Sequence, residues 1–214
     1  MSPDDLLQLM RSRTSVRAFE DRPVPRELLV RLLEAATRAP SPTNRQPWRF
    51  SIVTAPALRK QIVDATQAAI DEIRAIIAKG EHPDHLADYW DYFVKPQRSA
   101  PVLAVVQYRN YADTIAHLID AAGGDSKKHY TSDSWLAEVS AASAAIMQLL
   151  LQAHVEGLGA CWLSGCMLAR ARLTELLRVK APWKILGGVA IGWPAEHPAP
   201  SSRKAVEKVV EWLE

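Results

Sequence analysis

Hydrophobic residues recur along the chain with two spacings, and each spacing predicts a different kind of element. Leucines and alanines at a 3.6-residue period, with arginines and glutamates on the opposite face, predict an amphipathic helix over Pro25–Arg38. The same period predicts helices over Leu58–Lys79, Ser134–Val155 and Ala169–Arg178. A serine, a proline and two acids open Ser2–Met10 and favour a short helix there. Ser134–Val155 is apolar nearly all round, which predicts burial on most sides.

Short apolar runs between these helices predict strands. The clearest is Pro101–Tyr108, a run of buried-type valines and a leucine. The others are Phe50–Thr54, Ala160–Leu163 and Ile185–Trp193. Arg109–Ser132 is polar and contains two adjacent glycines, so we expect an irregular excursion there. Strands separated by helices predict an α/β (α+β) sandwich with a mixed central sheet, not a regular doubly wound one.

Composition narrows the class of protein. A chain of 214 residues that is 48% hydrophobic can bury one substantial core, so we expect a single domain over 1–214. A net charge of +2 does not favour a nucleic-acid or membrane partner. Met1–Asp5 is polar and acidic, unlike a leader, and polar residues interrupt the most apolar stretch, Val139–Val155. Cys161 and Cys166 are too few for a disulfide framework and have no zinc-like spacing, which indicates a reduced, cytoplasmic protein.

The segment Ala39–Trp48 has the composition of a stiff loop. Its three prolines lack an amide donor, fix φ, and push the preceding residues toward extended geometry. The polar side chains on this constrained backbone are Ser41, Thr43, Asn44 and Gln46. Such a loop suits a flat ligand with polar edges, because little freedom is lost on binding. The alternative is a plain connection between a helix and a strand.

Three arginines, Arg11, Arg13 and Arg17, lie close together with small hydroxyl residues between them. Guanidinium groups match phosphate oxygens, and small residues let the backbone approach, so this segment is a candidate phosphate cradle. The alternative is a solvated basic turn. Arg203-Lys204 adds two further cations near the other end of the chain.

Two other stretches carry candidate chemistry. His82, Asp84, His85 and Asp88 suggest a metal site, but Pro83 interrupts them and no second cluster completes a coordination shell, so we expect no metal. The aromatic run that follows, Tyr89–Phe93, has a simpler role in capping a pocket. In Gly157–Gly165, Ser164-Gly165 permits a turn whose backbone amides face a ligand, although the order of strand and glycines is not that of a dinucleotide fingerprint.

Two of these motifs in order resemble a known family. Arg13–Phe19, then a helix, then Ala39–Trp48 are similar to the opening of the FMN-dependent nitroreductase family, and Gly157–Gly165 and Arg203-Lys204 extend the likeness over nearly the whole chain. The resemblance implies a three-layer sandwich and a domain-swapped homodimer with FMN at the subunit interface. Glu81–Asp133 lies outside the matching motifs.

The resemblance also implies which residues contact FMN. It assigns the phosphate and part of the isoalloxazine edge to Arg13, Thr14, Ser15 and Arg17. It assigns contacts from the partner subunit to Pro40, Ser41, Pro42 and Asn44. Leu163, Ser164 and Gly165 would lie over the ring with a backbone amide directed at N5, and Arg203 would return to the phosphate. Some family members carry a basic residue where this chain has Ser201.

The function implied is hydride transfer from NAD(P)H through FMN to a small electrophile such as a nitroaromatic or a quinone. No nucleophile or acid–base pair stands out, which fits a reaction whose reactive atom belongs to the cofactor. The alternative is an FMN-binding storage or sensor protein without turnover, with Tyr89–Phe93 closing the ring face. A nucleic-acid binder is disfavoured by the near-neutral charge.

Overall fold

The computed structural model describes residues 2–80, 87–111, 114–129 and 136–213. Its α-helices are α1 (Pro3–Ser12), α2 (Arg26–Thr37), α3 (Pro56–Ile77), α4 (Ala87–Ser99), α5 (Thr114–Ala121), α6 (Ala137–Val155) and α7 (Arg170–Leu176). Single 3-10 turns cover Pro42–Asn44, Ser126–Lys128, Gly165–Ala169 and Val206–Lys208. No helix among these residues combines the length and the apolar composition needed to cross a bilayer.

One sheet holds β1 (Trp48–Val53), β2 (Val102–Arg109), β3 (Gly159–Leu163) and β4 (Trp183–Gly192) in the order β1-β2-β4-β3. Every pair is antiparallel, so the mixed sheet we expected is wrong for the described chain. The sequence between β1 and β2 contains two helices, α3 and α4. Arg59 near the start of α3 donates to the Ala100 carbonyl just after α4, at 2.6 Å. The chain therefore returns to the end of the sheet that it left, and β2 runs back along β1.

The sheet separates two layers of helices. Alternate residues of β2 point to opposite sides, so Ala104 and Val106 pack toward α2 and α6 while Leu103 and Val105 pack on the α3 side. The predicted three-layer α+β sandwich is confirmed. α6 buries one face along its length, with Ala145, Ile146 and Leu149 fully inaccessible. Met147 and Val155 on its other side are exposed, so burial on most sides, which the apolar composition predicted, is not seen within one chain.

One segment differs from the sequence expectation, and a second has an unusual surface. Within Arg109–Ser132, expected to be irregular, the structure contains α5, which ends where Gly123 takes φ +80° and Gly124 donates to the Ile119 carbonyl. The helical spacing of hydrophobic residues in α5 was not recognised in the sequence, because the helix is short and polar residues surround it. The segment 206–213 forms a single 3-10 turn and exposes large apolar side chains: Val206, Val209, Val210, Trp212 and Leu213.

Candidate active site

The arginine segment is held between β3 and the chain that follows β4. The Val16 amide donates to the Ala160 carbonyl at 3.2 Å. On the other side, one Glu196 oxygen accepts from the Arg17 amide at 2.7 Å and from the Ala18 amide at 3.1 Å. Gly159 permits this close approach, because a Cβ there would lie 2.7 Å from Val16 Cγ1. These contacts fix the backbone from which Arg13, Thr14 and Ser15 project.

Arg13 and Arg203 come together across a small cleft. The cleft has a volume of about 290 Å³ and is also lined by Arg11 and Ser201. Arg203 Nη1 donates to the Ser201 hydroxyl at 2.6 Å and to the Ser201 and Ser202 carbonyls at 3.1 Å each. Within the described chain, none of these arginines forms an ion pair with a carboxylate. The cleft therefore has the charge and the donors that a phosphate group requires.

Arg17 takes a different direction from Arg13. Its guanidinium carbon lies 5.3 Å from the centre of the Tyr92 ring on α4, and its Nη1 is 3.4 Å from the Ser15 carbonyl oxygen that accepts from it. Arg17 does not line the cleft that Arg13 and Arg203 share. The structure thus separates the predicted arginines into a pair suited to a phosphate and a third beside the aromatic helix.

The aromatic helix α4 packs on the turn after β3. Leu163 is buried in the core, Ser164 is exposed, and Gly165 is buried under Phe93. A Cβ at Gly165 would lie 2.4 Å from Phe93 Cβ, so the close packing requires glycine. Tyr89 meets Phe93 edge-to-face with ring centres 4.9 Å apart. Phe93 thus packs against the turn after β3, and the role of the aromatic run in capping a pocket or packing under a lid stays a prediction. The metal alternative at His82, Asp84, His85 and Asp88 rests on side chains outside the described residues.

Two cysteines near the site are unsuited to nucleophilic chemistry. Burial raises the pKa of the Cys161 thiol, although the positive charges of Arg17 and Arg13 oppose the shift. Burial raises the pKa of Cys166 to about 12. Neither thiol is ionised near neutral pH, so neither is an activated nucleophile.

The loop Ala39–Trp48 lies at the opposite end of α6. The Tyr111 hydroxyl donates to the Arg45 carbonyl of this loop at 2.8 Å, and the Tyr111 amide donates to Glu138 in the first turn of α6. At the last turn, His154 Nε2 is 2.8 Å from the Ser12 hydroxyl, next to the arginine segment. The two ends are about 24 Å apart at 1.5 Å per residue. Within one chain, Pro40, Ser41, Pro42 and Asn44 are therefore not brought together with Arg13 and Arg203.

The same loop is conformationally strained. Thr43, Asn44 and Gln46 have φ of 49°, 54° and 48°, a region that non-glycine residues rarely occupy. The Ser41 hydroxyl accepts from the Gln46 amide at 3.0 Å and helps to hold this shape. Three such residues within four positions point to a functional loop, because such strain is usually retained only where the geometry is needed.

Sequence reasoning missed Glu196 as the residue that fixes the arginine segment. Its carboxylate reaches Arg17 across a sequence separation of 179 residues, so no local pattern could have found it. It also missed the contact between His154 and Ser12, which joins α6 to the segment before Arg13.

His154 makes the stability of this region depend on pH. Burial, together with the nearby charge of Arg13, holds the pKa of His154 below its usual range. The unfolded chain then binds the proton more readily, so stability is present above about pH 6.5 and is lost as the pH falls toward the lowered pKa. We expect the melting temperature of the wild type to fall from about pH 7.5 to 5.5 more steeply than that of His154→Gln. Equal slopes for the two proteins would contradict this account.

Comparisons with known proteins identify the family. The model of the nitroreductase family matches residues 10–193. A protein of Thermus thermophilus named NADH dehydrogenase is 31% identical over 94% of this chain and 92% of its own length. A protein of Rhodospirillum rubrum named 5,6-dimethylbenzimidazole synthase is 32% identical over 92% of this chain and 86% of its own.

Solved structures share the fold. A BluB-like flavoprotein from Clostridium difficile superposes with a TM-score of 0.85 at 23% identity, covering 98% of this chain and 99% of that one. A nitroreductase with bound FMN from Desulfitobacterium hafniense superposes with a TM-score of 0.72 at 18% identity over the whole of both chains. The sheet and its two helical layers are thus those of a fold shared with these solved structures. The chain belongs to the nitroreductase family.

Proposed function

We propose that the protein is an FMN-dependent oxidoreductase that uses NAD(P)H to reduce a small electrophile such as a nitroaromatic or a quinone. The observation that carries this proposal is the cleft between Arg13 and Arg203, whose unpaired guanidiniums suit the FMN phosphate. FMN held there would supply the hydride chemistry that links NAD(P)H to the acceptor. The family membership and the names of the relatives support the same activity.

The residues of the chain itself bind the cofactor and orient it. Arg13 and Arg203 hold the phosphate, and Ser201 fixes the Arg203 guanidinium through its hydroxyl and carbonyl. In our proposal Ser201, where the family resemblance implies a basic residue in some members, acts on the arginine instead of on the phosphate. Thr14 and Ser15 follow Arg13 in the same segment and in our proposal also contact the cofactor, and Arg17, beside the Tyr92 ring, serves the ring edge.

The turn after β3 and the helix α4 enclose the flat part of the cofactor. In our proposal Leu163, Ser164 and Gly165 lie along the ring, and the Ser164 amide is directed at N5. Neutral donors there stabilise the electron-rich reduced ring. Tyr89 and Tyr92, both at least half exposed, limit the space open to an acceptor and exclude water from part of it.

A second copy of the chain completes the site. Pro40, Ser41, Pro42 and Asn44 lie at the far end of α6 from Arg13, so in our proposal they meet the flavin held by the partner subunit. A homodimer with FMN at its interface is the simplest arrangement in which both halves serve one cofactor. A monomer would hold only half of each site.

The C-terminal segment provides the contact between copies. Trp212 and Leu213 are 82% and 87% exposed, which is unusual for such large apolar side chains. β1 is an edge strand, and an apolar groove of about 530 Å³ runs beside it between Leu29, Leu33 and Ile52. We propose that the tail of one subunit occupies this groove on the other, giving the domain-swapped dimer that the resemblance implies.

Purification tests the proposal. We expect a yellow protein that releases FMN on heating and that oxidises NADH or NADPH in the presence of a quinone or nitroaromatic acceptor. Recovery of FAD, or of no flavin, would refute the cofactor assignment. Bound FMN without dinucleotide oxidation would favour the storage or sensor alternative. Formation of dimethylbenzimidazole without acceptor reduction would place the chain with its R. rubrum relative instead.

We also propose that the protein is a single domain over 1–214 and works in the cytoplasm. β2 contributes residues to both hydrophobic clusters, which joins the two layers into one unit. Both cysteines are free and buried, as is usual in a reducing compartment.

A further inference from the structure

Three arginines surround two aromatic rings at the end of the sheet where β1 and β4 begin and β2 ends. The members of this arginine–aromatic cluster are Arg45, Arg49, Arg109, Tyr111 and Trp183. The Arg109 guanidinium carbon lies 4.2 Å from the centre of the Tyr111 ring and 5.8 Å from that of Trp183. Arg45 lies 5.2 Å from Tyr111, and Arg49 lies 5.8 Å from Trp183.

The backbone fixes the positions of these side chains. Arg109 stands directly opposite Trp183 in the β2–β4 register, and its amide donates to the Pro47 carbonyl at 3.1 Å. The Tyr111 hydroxyl donates to the Arg45 carbonyl. The rings therefore hold the guanidiniums in place by cation–π contact, which leaves their N–H donors available to a ligand.

The cluster lacks the anions that its charge calls for. A few arginines of the described chain pair with a carboxylate, such as Arg31 with Glu156 at 2.7 Å and Arg172 with Glu175 at 2.8 Å. Within that same part of the chain, no carboxylate forms an ion pair with the cluster arginines, and Arg109 Nε is buried without a hydrogen-bond partner. Among the residues that the structure describes, Glu138 accepts from the Tyr111 amide, at 3.3 Å, and not from a cluster arginine. Three like charges held together with an unused buried donor form a site for a ligand with several negative charges.

We propose that the cluster binds the phosphates of the dinucleotide co-substrate, including a 2′-phosphate, and so favours NADPH over NADH. This inference rests on the proposed function. Arg45 belongs to the loop Ala39–Trp48, which in that proposal meets the flavin held by the partner subunit, so the cluster lies beside that flavin. Arg13 and Arg203 are committed to the FMN phosphate, and a second polyanion needs other cations.

The experiment uses 2′-phospho-ADP-ribose, which carries the phosphates but no nicotinamide and cannot reduce flavin. Calorimetric titration of the purified flavoprotein should show binding that Arg49→Ala weakens by about tenfold or more, as expected for loss of one charge-assisted contact. Arg45→Ala should have a similar effect. The matched control is Arg22→Ala, because Arg22 lies 4.0 Å from the ring of Trp193, just beyond the other end of β4.

Each other outcome overturns the proposal. The first is that the wild type does not bind 2′-phospho-ADP-ribose, and the second is that it binds ADP-ribose with equal affinity. The others are that Arg49→Ala binds 2′-phospho-ADP-ribose as tightly as the wild type, or that Arg22→Ala loses as much affinity as Arg49→Ala. Steady-state kinetics gives a second readout, in which Arg49→Ala should raise the KM for NADPH about tenfold with little change in kcat. A further result separates the two proposals. If Arg49→Ala binds 2′-phospho-ADP-ribose more weakly than the wild type does, but the wild type oxidises neither NADH nor NADPH, then the proposed function is wrong while the nucleotide-binding site is supported.

Discussion

A variant with both Arg13→Ala and Arg203→Ala is expected to fold normally and to purify almost without FMN. The two side chains line one cleft and are unpaired by any described carboxylate, so their loss removes the charges that face the phosphate. A charge-assisted hydrogen bond is worth about 1.5–3 kcal/mol, and each 1.4 kcal/mol is about tenfold in affinity. We expect each single change to weaken FMN binding by about ten- to a hundredfold and the pair by more than either. Fluorescence titration of apoprotein with FMN measures this.

Arg38→Ala is the control for general loss of positive charge. Arg38 is exposed and pairs with Glu34 at 3.5 Å on the surface of α2, where such a pair contributes little. It should bind FMN like the wild type. If the double variant also retains wild-type affinity, the arginines of the cleft are solvated surface charges and the phosphate binds elsewhere.

Polar substitutions in the C-terminal segment are expected to dissociate the dimer and release the flavin together. In Val209→Asp, Trp212→Ser and Leu213→Asp combined, the large side chains that we place in the partner's groove lose their apolar character. Burying charged or polar groups there without partners is strongly unfavourable. Light scattering should give the mass of one chain, and the flavin absorbance should fall with it.

The matched control changes Glu207→Gln and Glu211→Gln in the same segment, both of which are exposed. It should remain a yellow dimer. A tail variant that is monomeric and still holds FMN would show that one chain carries the whole site. A variant that stays dimeric would move the interface away from the tail.

Local patterns in the sequence predicted most of the secondary structure. The apolar run of β2 and the period of α2 each arise from burial of one strand or one helix face, so they are visible in the residues themselves. The sequence could not show why position 159 must be glycine. The reason is that the Val16 side chain, distant in sequence, leaves no room there for a Cβ. The antiparallel direction of β2 relative to β1 was not predictable from the sequence. It depends on the end of the sheet to which α3 and α4 bring the chain back.

The candidate site was predicted unevenly. The arginine segment and the proline-rich loop were found because each has an unusual local composition. Their separation along α6 could not be read from the sequence, since it depends on which end of the helix each one meets. The grouping of Arg13 with Arg203, and of Arg17 with Tyr92, likewise depends on side-chain direction. The arginine–aromatic cluster joins residues from three strands and loops and has no contiguous signature.

The contacts that fix the arginine segment also set the order in which the site is completed during translation. The Glu20 amide donates to the Trp193 carbonyl at 2.9 Å, and the Ala195 amide donates to the Ala18 carbonyl at 3.0 Å. At about 5–20 residues per second, roughly 10–40 s pass on the ribosome between synthesis of the two partners. Arg13 and Arg17 are therefore among the first residues made and among the last to be positioned. A nascent chain stalled before residue 193 would expose them without a phosphate site.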